Sequence, residues 1–326
     1  MNDGADVAGK ASLSLVVCTF HREKLLGRAL ESVFAQNVAP GFDLEIVVVD
    51  NSDAATARAT VTNLAAAAPF PLRFVEAHPP NISVARNAGV AAARGKAIAF
   101  LDDDQELAPG WLDAVGTALG DLPQDAFFGA VEPDFEAHAR PTAMARQLFS
   151  RKHGAPRGAE LVAFGPQKTR GMALATNNSI FRRAALPRDG RMFDLAFGNG
   201  GGEDYDLICR MQRAGARFGW LPDARAREFV PAARCAPAYL RRRFFAGGQA
   251  YAAAIANASE RPGLARWSIR AKALVQLVLL AVRAPLAAVR GRDVLTDHLH
   301  LIAGALGKLS FAAISPIYRQ SLPPAR

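Results

Sequence analysis

Lys96-Ala97-Ile98-Ala99-Phe100-Leu101-Asp102-Asp103-Asp104 is the stretch on which the fold turns. Ala97 to Leu101 is a short apolar run with Ile and Phe, which predicts a strand buried on both faces. Three carboxylates follow where a parallel strand would leave its sheet, the edge at which open α/β sheets bind ligands. Adjacent like charges repel, and burying them without a partner is strongly unfavourable. A divalent cation would resolve this, and an all-oxygen donor set favours Mg²⁺ or Mn²⁺ over zinc. Asp102 and Asp104 are expected on one side of an extended chain, facing one ligand. The alternative is a solvated acidic turn or helix cap.

Upstream, the run Ser14-Leu15-Val16-Val17-Cys18-Thr19-Phe20 ends in a polar cluster, His21-Arg22-Glu23. From Leu25 the apolar residues recur at helical spacing through Leu26, Ala29, Leu30, Val33 and Phe34. A second strand, Leu44 to Val49, runs into Asp50-Asn51-Ser52-Asp53, and an Ala-rich helix is expected over 54–68. Leu72 to Val75 predicts a third strand, after which Ser83 is expected to cap a helix that Gly95 ends. The alternation βαβαβαβ implies a mostly parallel, doubly wound sheet. There is no GxGxxG and no GxxxxGK[ST] after a strand. Gly304-Ala305-Leu306-Gly307-Lys308-Leu309-Ser310 superficially resembles a phosphate loop, but its helical apolar pattern predicts helix packing instead.

The 326 residues carry a net charge of +9, unevenly placed. Residues 1–150 hold 11 Lys and Arg against 19 Asp and Glu, a balance of −8, and residues 151–326 hold 28 against 11, a balance of +17. A basic half points to an anionic partner: nucleic acid, an anionic membrane face or a pyrophosphate-bearing substrate. Cys18, Cys209 and Cys235 lie far apart with no CxxC, which argues against zinc and a disulfide framework and fits a reducing compartment. No apolar signal segment is read in the first residues, and residues 1–12 are expected to be disordered.

Five blocks in order resemble the family 2 glycosyltransferases of the GT-A fold, inverting enzymes that use nucleotide-diphosphate sugars. They are Val17-Cys18-Thr19-Phe20-His21-Arg22, Val48-Val49-Asp50-Asn51-Ser52, Ala85-Arg86-Asn87-Ala88-Gly89, Phe100 to Asp104, and Gly201-Gly202-Glu203-Asp204-Tyr205-Asp206-Leu207. The resemblance covers about residues 12–220. It implies a nucleotide-sugar half over 13–125, an acceptor half over 126–236 and, beyond it, a basic amphipathic helical extension over 237–326.

By this resemblance Thr19, Phe20, Arg22 and Asp50 hold the base and ribose. Asp50 as a plain helix cap is the competing reading. Arg86 is expected either on the diphosphate or paired with the Asp cluster. Asp102 would meet the ribose or the metal, Asp104 the cation bridging the phosphates, and Asp103 at most the ribose, making it the least sensitive of the three. Gln105 stands where the family often has a further acid. Within Thr176-Asn177-Asn178-Ser179, a polar cluster leading into a strand, Asn178 is expected on the acceptor, with a polar turn as the alternative. Four glycines in Gly198-Asn199-Gly200-Gly201-Gly202 suggest close approach to a ligand. Glu203 and Asp204 then begin a helix, where acids also favour the helix dipole. The resemblance makes Asp204 the general base, Glu203 an acceptor ligand and Asp206 a lesser acceptor contact.

Residues 150–170, rich in Gly, Pro and basic groups, are expected to form a mobile loop. Farther on, Arg241-Arg242-Arg243-Phe244-Phe245, Trp267 and the apolar run 273–282 suit either a peripheral contact with an anionic membrane or helices packed on the catalytic domain. Ten uncharged residues fall short of the ~20 that cross a bilayer, so a transmembrane helix is not expected there. The expectation is thus a cytoplasmic enzyme, associated with the inner face of the membrane. It would move a sugar from a nucleotide-diphosphate donor, a UDP-sugar above all, to a glycan or lipid-linked acceptor in surface polysaccharide synthesis, with Mn²⁺ or Mg²⁺ as cofactor. A nucleotidyltransferase would want a Gly-rich basic loop where His21-Arg22-Glu23 stands. A nucleic-acid-binding or other anion-binding module would not need Asp102 to Asp104 or Glu203-Asp204.

Overall fold

A computed structural model describes residues 11–37, 42–187, 192–310 and 312–317. The expected disordered segment 1–12 lies outside the described residues except for Ala11 and Ser12, which begin the first strand. Strand and helix alternate through β1 (Ala11–Thr19), α1 (Glu23–Phe34), β2 (Phe42–Asp50), α2 (Arg58–Ala65), β3 (Leu72–Glu76), α3 (Ile82–Ala92) and β4 (Ala97–Asp102). These strands form the parallel order β3-β2-β1-β4.

The chain then turns at Asp103-Asp104 into a short strand that sequence periodicity does not reveal, β5 (Gln105–Leu107). It continues through α4 (Trp111–Asp121), β6 (Ala126–Phe135), α5 (Ala143–Leu148), β7 (Glu160–Leu161), β8 (Ser179–Arg182), α6 (Glu203–Arg213) and β9 (Phe218–Val230). The full order is β3-β2-β1-β4-β8-β6-β9-β5, with β7 on β9. Beyond β4 the sheet is mixed: β8 runs antiparallel to both β4 and β6, and β6 is parallel to β9.

The apolar runs bury both faces of the sheet. Leu13, Leu15 and Val17 of β1 join Leu26, Leu30 and Val33 of α1 and Trp111 and Val115 of α4 in one core layer. Val16, with Ile98 and Phe100 of β4, joins Ala85 of α3 and Leu207, Ile208 and Met211 of α6 in the other. Helix α3 is capped by Asn81, whose side chain accepts from the N–H groups of Ser83 and Val84. Ser83 is therefore not the cap; its hydroxyl donates to Asp194 O at 2.8 Å.

The glycine run serves packing. A Cβ on Gly198 would fall on the Asn81 side chain, and one on Gly200 against Ile314 and Ser315. Gly202 adopts φ 98° at the N-cap of α6, and its Cβ would lie 2.5 Å from that of Ala250. Close contact between chain segments, and not ligand access alone, therefore requires these glycines.

Four helices follow among the described residues: α7 (Ala232–Cys235), α8 (Pro237–Asn257), α9 (Pro262–Val289) and α10 (Arg292–Leu309). Gly304-x-x-Gly307 is the helix-packing element its pattern predicts. A Cβ on Gly307 would sit 2.0 Å from Phe245 O, and one on Gly248 2.2 Å from Gly304 O, so α8 and α10 meet backbone to backbone. The apolar run 273–282 is only the middle of α9. The helix continues past Lys272 and Arg283 to 28 residues and is, by length and composition, apolar enough to cross a bilayer.

Candidate active site

Parallel pairing brings the carboxyl ends of three strands together. Thr19 of β1 lies in register with Asp50 of β2, and Cys18 with Asp102 of β4. Above this edge opens a cavity of about 890 Å³. Its wall includes Thr19, Phe20, Arg22, Arg86, Asp102, Asp103, Asp104, Glu203 and Asp204, so the structure gathers nine of the expected site residues into one place.

Asp102 and Asp104 do not share one side of an extended chain, as their spacing suggests, because the chain turns after Asp102. Arg22 donates from Nη1 to Asp103 Oδ1 at 3.0 Å and to Asp104 Oδ2 at 2.9 Å. Arg234, at the end of α7, donates to the same Asp104 oxygen at 3.1 Å. Asp102 lies instead 3.6 Å from Arg86 and keeps 38% of its side chain exposed. Asp103 is held on both oxygens, by Arg22 and by the Thr19 hydroxyl at 2.8 Å. It thus ties β1 and the β1–α1 loop to the aspartate turn, a structural role beyond the ribose contact expected of it. Burial raises the Asp103 carboxyl to about 6, with Arg22 pulling it back and Asp104 adding to the rise.

Arg86 is buried beneath the cavity and pairs with Glu203 Oε1. Its closest partner is thus Glu203 and not the Asp cluster, of which Asp102 lies 3.6 Å away. Burial pushes the Glu203 carboxyl up to about 7, against the downward pull of Arg86. Its second oxygen is buried and accepts no hydrogen bond among the described residues. Asp204, one residue on, is half-buried on the cavity wall, with Oδ1 accepting from Tyr205 N–H at 2.6 Å. Cys18 also lines the cavity, and burial pushes its thiol up to about 12, so it is no thiolate at neutral pH.

Three expected ligands face elsewhere. Asp50 is fully buried, and its carboxylate accepts from the N–H groups of Ser52 and Ala57, both at 2.8 Å, folding the loop into α2. The capping-type role wins over the nucleotide role, and Asn51 lines the cavity in its place. Asn178 is also fully buried. It donates to Ala130 O and Ala224 O and accepts from Trp111 Nε1, leaving nothing for an acceptor, while Asn177 lines the cavity. Asp206 accepts from Arg210 and from Asn257, which ties α6 to α8. Asn178→Ala is accordingly expected to cost about 3 kcal/mol of stability or more, since three buried polar groups lose their partner. Urea unfolding measures this. An unchanged midpoint together with a raised acceptor KM would return Asn178 to the acceptor.

Comparison with known proteins gives the family. The family described as Glycosyl transferase family 2 matches residues 14–183. The succinoglycan biosynthesis protein ExoM of Rhizobium meliloti is 33% identical over 301 residues, 90% of this chain and 93% of that protein. The chain belongs to the family 2 glycosyltransferases.

Solved structures support the GT-A fold at lower identity. The mannosyltransferase PcManGT of Pyrobaculum calidifontis, in complex with GDP-Man and Mn²⁺, superposes with a TM-score of 0.56 at 20% identity, covering 91% of this chain and 86% of that one. TarS of S. aureus in complex with UDP-GlcNAc gives a TM-score of 0.53 at 18% identity, covering 78% and 69%. As a glycosyltransferase the chain has further cavity residues that motif reading misses. Glu228 accepts from Gln105 and Asn177, and burial, then Asp104 and Asp102, push it up to about 8. Arg151 threads the 175–178 segment, donating to Gly129 O, Ala175 O and Asn178 O; burial lowers it to about 10. The segment 150–170, expected as a mobile loop, thus begins with a buried anchor and contains β7.

Proposed function

We propose that the chain is a cytoplasmic inverting glycosyltransferase that moves a sugar from a UDP-sugar to a growing glycan or lipid-linked acceptor in surface polysaccharide synthesis. The observation that carries this reading is the cavity over the sheet edge, whose wall holds both the Asp102–Asp104 turn and Asp204. Such a cavity has room for a nucleotide sugar, and the acids flank where a diphosphate and an acceptor would meet. The near-full-length likeness to ExoM, named for succinoglycan biosynthesis, supports a polysaccharide product. The UDP-GlcNAc bound to TarS and the GDP-Man bound to PcManGT support a nucleotide-diphosphate sugar as donor.

Asp204 is the base in this reading. It takes the proton of the acceptor hydroxyl as that oxygen attacks the anomeric carbon opposite the diphosphate. Glu203 holds Arg86, and Arg86 steadies Asp102; Glu203 is thus a positioning residue rather than the acceptor ligand the motif suggests. Arg22 and Arg234 place positive charge beside Asp103 and Asp104, at the diphosphate end in this reading. Phe20 offers its ring to the base.

The residues fit a divalent cation on one condition. Asp102 and Asp104 are hard oxygen donors on the wall, yet among the described residues no group of three or more His, Cys, Asp or Glu side chains stands ready to hold an ion. Mn²⁺ or Mg²⁺ would thus be held by Asp102 and Asp104 jointly with diphosphate oxygens. When bound, the ion neutralises charge on the departing nucleotide diphosphate. The expected result in thermal unfolding is stabilisation by UDP with Mn²⁺ well beyond that by Mn²⁺ alone, and none by RNA or DNA oligomers. Equal stabilisation by oligonucleotides, or none by any nucleoside diphosphate, would sink the reading.

A further inference from the structure

Helix α9 carries an apolar face that none of the other described residues covers. Its buried stripe, Ile269, Ala273, Leu280 and Ala287, packs toward α8 and α10. On the opposite side Trp267, Leu274, Val278, Val282, Leu286 and Val289 recur three, four or seven residues apart, and Trp267, Val282 and Val289 are 67%, 75% and 85% exposed. From Trp267 to Val289 the stripe runs about 33 Å at the rise of an α-helix. Soluble surfaces rarely leave so continuous an apolar patch without a partner.

The charge around the stripe says which partner. From Arg261 to Arg292 the chain has seven Arg and Lys residues and no Asp or Glu. At 3.6 residues per turn, Lys272, Arg283 and Arg290 run along one flank of the stripe, and Arg266 and Arg270 along the other. Cationic side chains that flank an apolar stripe can reach lipid phosphates while the stripe sinks into the acyl boundary. Lys272 and Arg283 fall within the length of the stripe, so a helix crossing the bilayer would draw both into hydrocarbon. Lying in the interface plane avoids that cost.

We propose that α9 docks the chain on an anionic lipid bilayer, lying in the plane of the interface with Trp267, Leu274, Val278, Val282, Leu286 and Val289 inward. Arg243 of the basic run 241–243 lines the cavity, so the stripe of α9, and not that run, is taken as the docking element. Helices α8 and α10, against which α9 packs, give Arg243, Phe244 and Leu301 to the cavity wall, so the docked face and the cavity are joined through two helices. The docking does not depend on which donor or acceptor the enzyme uses, and its test needs no turnover.

The test is co-sedimentation of the full chain with vesicles of phosphatidylglycerol and phosphatidylcholine, or of phosphatidylcholine alone, at low and high salt. Wild type is expected to sediment with the anionic vesicles, more weakly at high salt because exposed charges are screened. The double variant V278E/V282E is expected to bind them roughly 100-fold more weakly, since each buried valine contributes roughly tenfold and the glutamates are repelled. Its UDP affinity and circular dichroism, which report folding, are expected to match wild type. Wild type remaining in the supernatant would overturn the proposal, as would a folded double variant that still sediments. A dimer that V278E/V282E splits, with no vesicle binding, would give the face to a second copy. Resistance of membrane-bound protein to alkaline extraction would replace docking in the plane by a spanning helix.

Discussion

Asp204→Asn is expected to lower kcat by about 10²–10⁴-fold, the usual contribution of a positioned base, while donor affinity stays at its wild-type value. The amide has almost the same shape as the carboxylate but cannot take the acceptor proton. Glu203 cannot stand in for it, because one of its oxygens is held by Arg86 and the other is buried. Kinetics with saturating donor, alongside UDP binding by calorimetry, separate the two quantities. A variant that kept near-normal kcat would remove Asp204 from the chemistry. If Glu203→Gln lost kcat at the same time, with its fold intact, the roles of the two acids would have to be exchanged.

Asp104→Asn carries the other large effect. Asp104 is buried and takes hydrogen bonds from Arg22 and Arg234, one from the β1–α1 loop and the other from α7. Neutralising it removes both an oxygen donor for the cation and the charge that draws those arginines together. Turnover is expected to fall about 10²–10³-fold, on the scale of losing one preorganised electrostatic group, and the Mn²⁺ dependence of UDP affinity should vanish. Wild-type UDP affinity with Mn²⁺ in this variant would take Asp104 out of the cation site. Asp103→Asn is a poor control, because both its oxygens are engaged and it is buried. Glu106→Gln serves better: its partner is Arg28, and the two side chains are 37% and 49% exposed, so little is buried with the pair.

Much of this site is legible in the chain because the first four strands are apolar runs that end in polar residues. Once their parallel pairing is inferred, Thr19, Arg22 and Asp102 to Asp104 must converge at one edge. What the sequence hides is the direction of neighbouring side chains. Asn177 and Asn178 are adjacent, yet the first faces the cavity and the second is consumed by Trp111, Ala130 and Ala224. Glu203, Asp204 and Asp206 share one helical turn, and packing against α8 decides that Asp206 turns to Asn257. Asp50 looks like a ligand because it ends a strand at the right edge, but the next loop folds back onto it.

Other parts were readable in principle. Ala224, Ala226, Glu228 and Val230 alternate with exposed or less buried neighbours on β9, and a Glu on the inward face of such a strand needs a polar reason. Arg234 gave no such signal. It reaches Asp104 only because α7 returns the chain to the sheet edge more than a hundred residues after the turn it contacts. The short strand β5 is invisible for a related reason: three residues carry no period, and only pairing with β9 makes them a strand.

The measurement that tests the central claim most directly is the anomeric configuration of the product, read by proton NMR after incubation with a panel of nucleotide-diphosphate sugars and lipid-linked oligosaccharide acceptors. The account predicts that a UDP-sugar is consumed by the wild-type chain, that its anomeric configuration is inverted in the product, and that Asp204→Asn makes almost none. Retention of configuration, or a product formed equally well by Asp204→Asn, would contradict it.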